Sequence, residues 1–205
     1  MDFHENAFFL DERDSIIYLS FSGISRVIKI KYPSGAVMST YGNLYGDGQN
    51  TGAALSNMAI QDIFHSLADN TMFKRQHSCI ASKDGGLYVY NNNMQSYPQD
   101  RINKKPQVPQ IVKLKEVEGR DHKASVVWTY DCIPQEELLQ VSGGGGNVME
   151  LADGSLYVST NAPYSRLALI NTNKELLWSG ILEVKGSGTK WNNGPCYRSS
   201  IIEKK

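Results

Sequence analysis

The chain has 205 residues, and its 21 Lys+Arg against 21 Asp+Glu give a formal net charge of zero. That length is enough for one sizeable core, and the charge balance excludes a global attraction to nucleic acid or to an anionic membrane surface. No apolar stretch approaches the length needed to span a bilayer, so neither nucleic acid nor a membrane is an expected partner.

The opening Met1-Asp2-Phe3-His4-Glu5 has neither the basic start nor the apolar segment of an export signal. That leaves a cytoplasmic protein, or one whose signal is not part of this chain. Ala7 to Leu10 reads as a first strand. Asp14-Ser15-Ile16-Ile17-Tyr18-Leu19 then reads as a turn entering a run rich in β-branched and aromatic residues. Arg26 to Ile30 makes a third strand and, after the Ser34-Gly35 turn, Ala36 to Thr40 a fourth. From 41 to 73 the pattern is interrupted by an insertion that starts Gly/Asn-rich. Within it Met58, Ile60, Ile63, Phe64 and Leu67 give a rough helical stripe over Met58 to Ala68, expected to cover one mouth of a channel.

The four-strand pattern then returns twice. Ser78 to Ser82, the run ending in Leu87-Tyr88-Val89, Ile111 to Leu114 and Ser125 to Tyr130 form the second copy. A polar loop with three prolines, Asn92 to Pro109, interrupts it. Asn147 to Leu151, the run ending in Leu156-Tyr157-Val158, Arg166 to Ile170 and Glu175 to Trp178 form the third. The markers are Asp84-Gly85-Gly86 and Asp153-Gly154-Ser155, with Asp14-Ser15-Ile16 as a looser copy, 70 and 69 residues apart. Four antiparallel strands per repeat is the pattern of a β-propeller blade. The expected fold is therefore all-β, a partial propeller over 1–205. Its blades span about 4–40, 76–131 and 142–180, with a terminal strand at 196–203 opening a fourth repeat. Three repeats fall short of the roughly four to eight that close a ring. Further blades, or a homo-oligomeric ring, would have to complete it.

In a propeller the first strand of each blade lines the central channel, and alternate residues face it. Aligned on the Asp-Gly turns, His4 and His77 occupy equivalent places, with Asn6 on the face of His4. Ser142 and the run Gly143 to Gly146 take that place in the third repeat, and Tyr197-Arg198 in the partial fourth. Imidazole can attack an electrophile or move a proton near neutral pH. Arg198 would hold an oxyanion through its forked donors, and bare glycine N–H groups would add to it. The blander reading of the glycines is close backbone approach. The run lacks the Lys of a phosphate-binding loop and precedes a strand. Cys79, Cys132 and Cys196 show no CxxC spacing and read as buried small residues, and with no carboxylate cluster there is no metal site to expect. His65 and His122 read as solvated, and Trp128, Trp178 and Trp191 as packing residues.

These residues, in this order, resemble the bacterial aryl-sulfate sulfotransferases. Asp2-Phe3-His4-Glu5-Asn6 is similar to the family's Asp-x-x-His-x-Asn segment, and Gln76-His77 to the Gln-His pair at its active histidine. Leu87-Tyr88-Val89-Tyr90-Asn91, Gly144-Gly145-Gly146-Asn147-Val148 and Tyr197-Arg198 also resemble family segments. The resemblance implies a six-bladed propeller in an exported, periplasmic or secreted transferase. It would move a sulfuryl group from a phenolic sulfate to a phenol through a sulfated histidine, with no cofactor or metal. It would make His77 the nucleophile, with His4 and Asn6 binding the sulfate and assisting proton transfer, and Asn91 a substrate-side residue. Where the family carries a channel arginine this sequence reads Ser20-Phe21-Ser22-Gly23, with Arg26 nearby in another register. That departure favours the alternative expectation, a propeller that binds a ligand or partner without catalysis.

Overall fold

The computed structural model describes residues 4–42, 72–93, 108–116, 124–133, 144–161, 165–185, 191–193 and 196–202. The expected helical stripe at 58–68, His65, His122 and Ser142 lie outside them. Three four-stranded antiparallel sheets account for most of the rest, each a meander in chain order. Sheet one is β1 (Glu5–Asp11), β2 (Ile16–Phe21), β3 (Arg26–Lys31) and β4 (Ala36–Gly42). Sheet two is β5 (Cys79–Ala81), β6 (Leu87–Asn91), β7 (Gln110–Glu116) and β8 (Ala124–Asp131). Sheet three is β9 (Asn147–Glu150), β10 (Leu156–Ser159), β11 (Arg166–Ile170) and β12 (Leu176–Ile181). A short hairpin, β13 (Glu183–Lys185) with β14 (Trp191–Asn193), follows and was not foreseen.

Sheets two and three start from the same turn. In sheet two Asp84 Oδ1 accepts the Ser82 hydroxyl at 2.7 Å and the Gly86 N–H at 3.4 Å. In sheet three Asp153 Oδ1 accepts the Ser155 N–H at 2.9 Å and its hydroxyl at 2.6 Å. An aspartate folded back on the backbone two residues on is what such a turn needs, with a left-handed residue between. Gly85 supplies that residue at φ 84°.

Strand alternation then assigns the two faces of each sheet. Tyr18, Val27 and Tyr41 of sheet one pack against Leu87, Val89, Val112 and Leu114 of sheet two. The opposite face of sheet two, with Tyr88, Tyr90 and Ile111, packs against Val148, Leu156, Val158, Ala168 and Ile170 of sheet three. The same interface is thus built twice, tyrosine side against aliphatic side. Repeating it outward leaves one half-interface at each end. On sheet one it is the row Phe8, Leu19 and Ile28 with the neighbouring row Leu10, Ile17, Ile30 and Val37. On sheet three it is Met149, Tyr157, Leu169 and Trp178. Phe8 is 71% exposed and Trp178 51%. Trp128, the equivalent of Trp178, packs against the core and stacks on Tyr130. Among the described residues no sheet lies over Trp178, so the packing role expected of it is not seen there.

Cys79 and Cys132 are buried and Cys196 is half-buried, all three as free thiols. The segment 196–202, expected as a terminal strand, forms no strand. It has one ladder-like contact, the Gly146 N–H donating to Tyr197 O at 2.8 Å. The Ser199 N–H goes to the Asn147 side chain at 2.9 Å and its hydroxyl meets Tyr157 Oη at 2.9 Å. Side chains have taken the bonds a ladder would have used.

An added Cβ at Gly85 would meet nothing within 4 Å, whereas one at Gly146 (φ 97°) would lie 2.4 Å from the Tyr90 ring and 2.9 Å from Ser159 O. Gly85→Ala is therefore expected to cost about 1 kcal/mol, the conformational cost alone. Gly146→Ala should cost about 3 kcal/mol or more, since a packed core must move as well. Urea unfolding of the two variants checks the difference.

Candidate functional site

The starts of the three sheets and the C-terminal segment converge at one end of the molecule. A β-bulge between Glu5 and Ala7 offsets the head of β1, and the backbone there is fixed by the Ser22 N–H donating to His4 O at 2.9 Å. His4 follows with a left-handed φ of 52° and an exposed ring. Arg75 and Ser78 flank Gln76-His77 with φ of 55° and 78°. Such conformations in residues other than glycine persist only where the surroundings impose them, and they concentrate at functional sites.

Gln76 ties the first two sheets together. It is fully buried, and its amide nitrogen donates to Arg26 O at 2.7 Å and Ser20 Oγ at 3.2 Å. Its own carbonyl accepts the Asn6 amide at 2.6 Å. Ser20, in the segment where the resemblance expects an arginine, is thus fully buried and committed to holding Gln76.

His77 lies between two rings. The His4 ring is 5.9 Å away centroid to centroid, and the Tyr197 ring 5.5 Å away, nearly perpendicular at 79°. The His77 N–H donates to Tyr90 O at 2.9 Å. Its Nδ1 sits 3.2 Å from Arg75 O and 2.5 Å from the amide nitrogen of Asn92, which itself donates to Arg75 O at 2.7 Å. The other edge of the ring faces Gly144: an added Cβ there would lie 3.5 Å from Nε2 and 3.4 Å from Cε1. The ring as a whole is buried, with His77 4% exposed. Burial disfavours the imidazolium and brings the His77 pKa down to about 4. The Arg75 carbonyl opposes this, and the charges of His4, Arg198 and Arg75 add to it.

Arg198 reaches across from the C-terminal segment, its Nη2 donating to Asn6 O at 2.6 Å, and stays exposed. Of the residues singled out in the sequence, His4, Asn6, His77 and Arg198 are brought together. Asn91 is buried, with its side-chain oxygen accepting the Lys74 N–H at 2.7 Å and the Asn93 N–H at 2.8 Å, so it shapes the loop beside His77. Three contributors escaped sequence reasoning: Tyr197 as a ring against His77, Asn92 at its Nδ1, and Gln76 as the tie. Asn92, at the start of the polar loop expected on the surface, is 1% exposed. Among the described residues no group of three His, Cys, Asp or Glu side chains could hold a metal ion.

No protein-family model matches the chain, and no curated protein matches it. Among solved structures, a protein of unknown function from Bacteroides caccae is similar with a TM-score of 0.40 and 14% sequence identity. The match covers 90% of this chain and 47% of that one, so the chain spans about half the length of that protein.

Two outcomes follow from this geometry. Gln76→Ala should destabilise the protein by about 2–3 kcal/mol, because Arg26 O, Ser20 and a packed volume lose their partner together; chemical denaturation measures it. Between pH 6.5 and about 4 the unfolded chain takes up a proton that buried His77 refuses, so stability should fall as pH is lowered through that window. In His77→Gln the unfolding midpoint should change less over the same range.

Proposed function

We propose that the three sheets are blades of a β-propeller and that the His77 cluster transfers a sulfuryl group from a phenolic sulfate to a phenol. The observation that carries this reading is a buried histidine, uncharged near neutral pH, with Nδ1 engaged by its own loop and the opposite edge of its ring facing Gly144. An uncharged, oriented imidazole is what nucleophilic attack requires. The sequence resemblance supplies the electrophile.

In the first step Nε2 of His77 attacks sulfur, an N–S bond forms, and the S–O bond to the aryl group breaks. Its electron pair leaves with the phenolate. In the second, the oxygen of an acceptor phenol attacks the same sulfur, the N–S bond breaks and its electron pair returns to Nε2. His4 receives the phenol proton. Negative charge on the three sulfuryl oxygens is met by the free donors of Arg198, which is held within the cluster by Asn6 O. The half-exposed Tyr197 offers its ring beside His77 to an aryl group.

A second reading, a propeller that binds an aryl anion without turning it over, is favoured by one observation. Ser20, where the resemblance expects an arginine, is buried and bonded to Gln76, so the sulfuryl oxygens have less positive charge around them. Incubating the purified chain with 4-nitrophenyl sulfate and phenol separates the readings. Transfer is expected, with a sulfuryl adduct on the peptide holding His77, and the rate should drop at least roughly a hundredfold in His77→Ala. Binding of the sulfate ester without nitrophenol release would instead establish the second reading.

A further inference from the structure

The contacts of His77 Nδ1 are over-subscribed, and the resolution of that conflict determines which ring nitrogen is free to react. Asn92 Nδ2 lies 2.7 Å from Arg75 O and 2.5 Å from Nδ1, while Nδ1 lies 3.2 Å from Arg75 O. The Asn92 amide cannot be turned over, because its oxygen would then face the Arg75 carbonyl oxygen at 2.7 Å with no proton between them. Its nitrogen must point at both groups, and it carries two hydrogens. One goes to Arg75 O. The other points at Nδ1, and at 2.5 Å there is no room for a second hydrogen on the ring nitrogen, so Nδ1 accepts.

We infer that Asn92 is a positioning residue that sets the tautomer of His77, keeping the proton on Nε2 in the resting protein. Nε2 then becomes a nucleophile only when the Asn92 side chain withdraws and Nδ1 donates to Arg75 O instead. The ring stays neutral throughout: Nε2 gives its proton to water and Nδ1 takes one from water. Both partners needed for the switch, an acceptor carbonyl and a donor amide, already touch Nδ1. In the resting tautomer the site can still donate from Nε2 to a bound anion, so binding precedes activation. The inference deepens the proposed histidine chemistry and rests on it for its consequence, but the tautomer itself is independent of any substrate.

The experiment is a long-range nitrogen–carbon correlation NMR spectrum of the histidine rings near neutral pH, with His77→Gln used to assign the His77 signals. The wild-type protein should show a protonated, pyrrole-type Nε2 and a bare, pyridine-type Nδ1. In Asn92→Ala the two signals should exchange places as Nδ1 donates to Arg75 O. Asn92→Asp, which keeps the size of the side chain and can only accept, should do the same. A wild-type ring already protonated on Nδ1, or variants whose tautomer does not move, would overturn the inference. A switch seen in a protein that transfers no sulfuryl group would uphold it while removing the proposed reaction.

Discussion

A sheet with neighbours on both sides has to be apolar on both sides, and the alternation of a strand then hands each neighbour every second residue. Tyr18 and Tyr88 turn toward the following sheet, whereas Leu87 with Val89, and Leu156 with Val158, turn toward the preceding one. A slip of one residue in any of these strands would exchange the two sets and spoil two interfaces at once. The Asp-x-x turns fix that register from outside, since each aspartate sets where its hairpin begins. Cross-sheet polar contacts add to it: Glu116 of β7 accepts the Tyr41 hydroxyl of β4 at 2.6 Å and pairs with Lys29 of β3 at 3.0 Å. The site inherits this register, because His77 stands two residues before β5 begins.

Gln76 converts sheet packing into site geometry. Its side chain is spent on sheet one, its carbonyl on Asn6, and the next residue is the histidine. A glutamate there would bury a charge against a carbonyl oxygen, and a shorter side chain would not span the gap. The Gln-His pair thus has a mechanical meaning apart from any resemblance: the first residue fixes the second. Left-handed backbone on either side turns the imidazole out of the ladder and toward the meeting point of His4, Gly144 and Tyr197.

Much of the fold was legible because its signals are local. The twelve sheet strands follow from the Asp-Gly turns and the period-two runs, and His4 and His77 each stand just ahead of the first strand of their sheet. What escaped depends on neighbours. Trp178 has the same cross-strand partner position as Trp128, and only the presence of a sheet above distinguishes a packed tryptophan from an exposed one. The terminal segment has the composition of a strand, but composition does not show that the Asn147 and Tyr157 side chains would bind it first. Asn92 was recoverable in principle. Cys79 pairs with Val89 in an antiparallel ladder, so the residues just after β6 must return beside those just before β5. The polar character of the following loop concealed this.

The place where the C-terminal segment lies has its own consequence. The Val148 N–H of β9 reaches the Ser78 side chain next to β5, and the Ser199 N–H reaches Asn147 at the head of β9 in the same manner. The segment therefore stands in the berth that the innermost strand of one more sheet would occupy. Any sheet laid over Trp178 and Leu169 would meet that berth already filled.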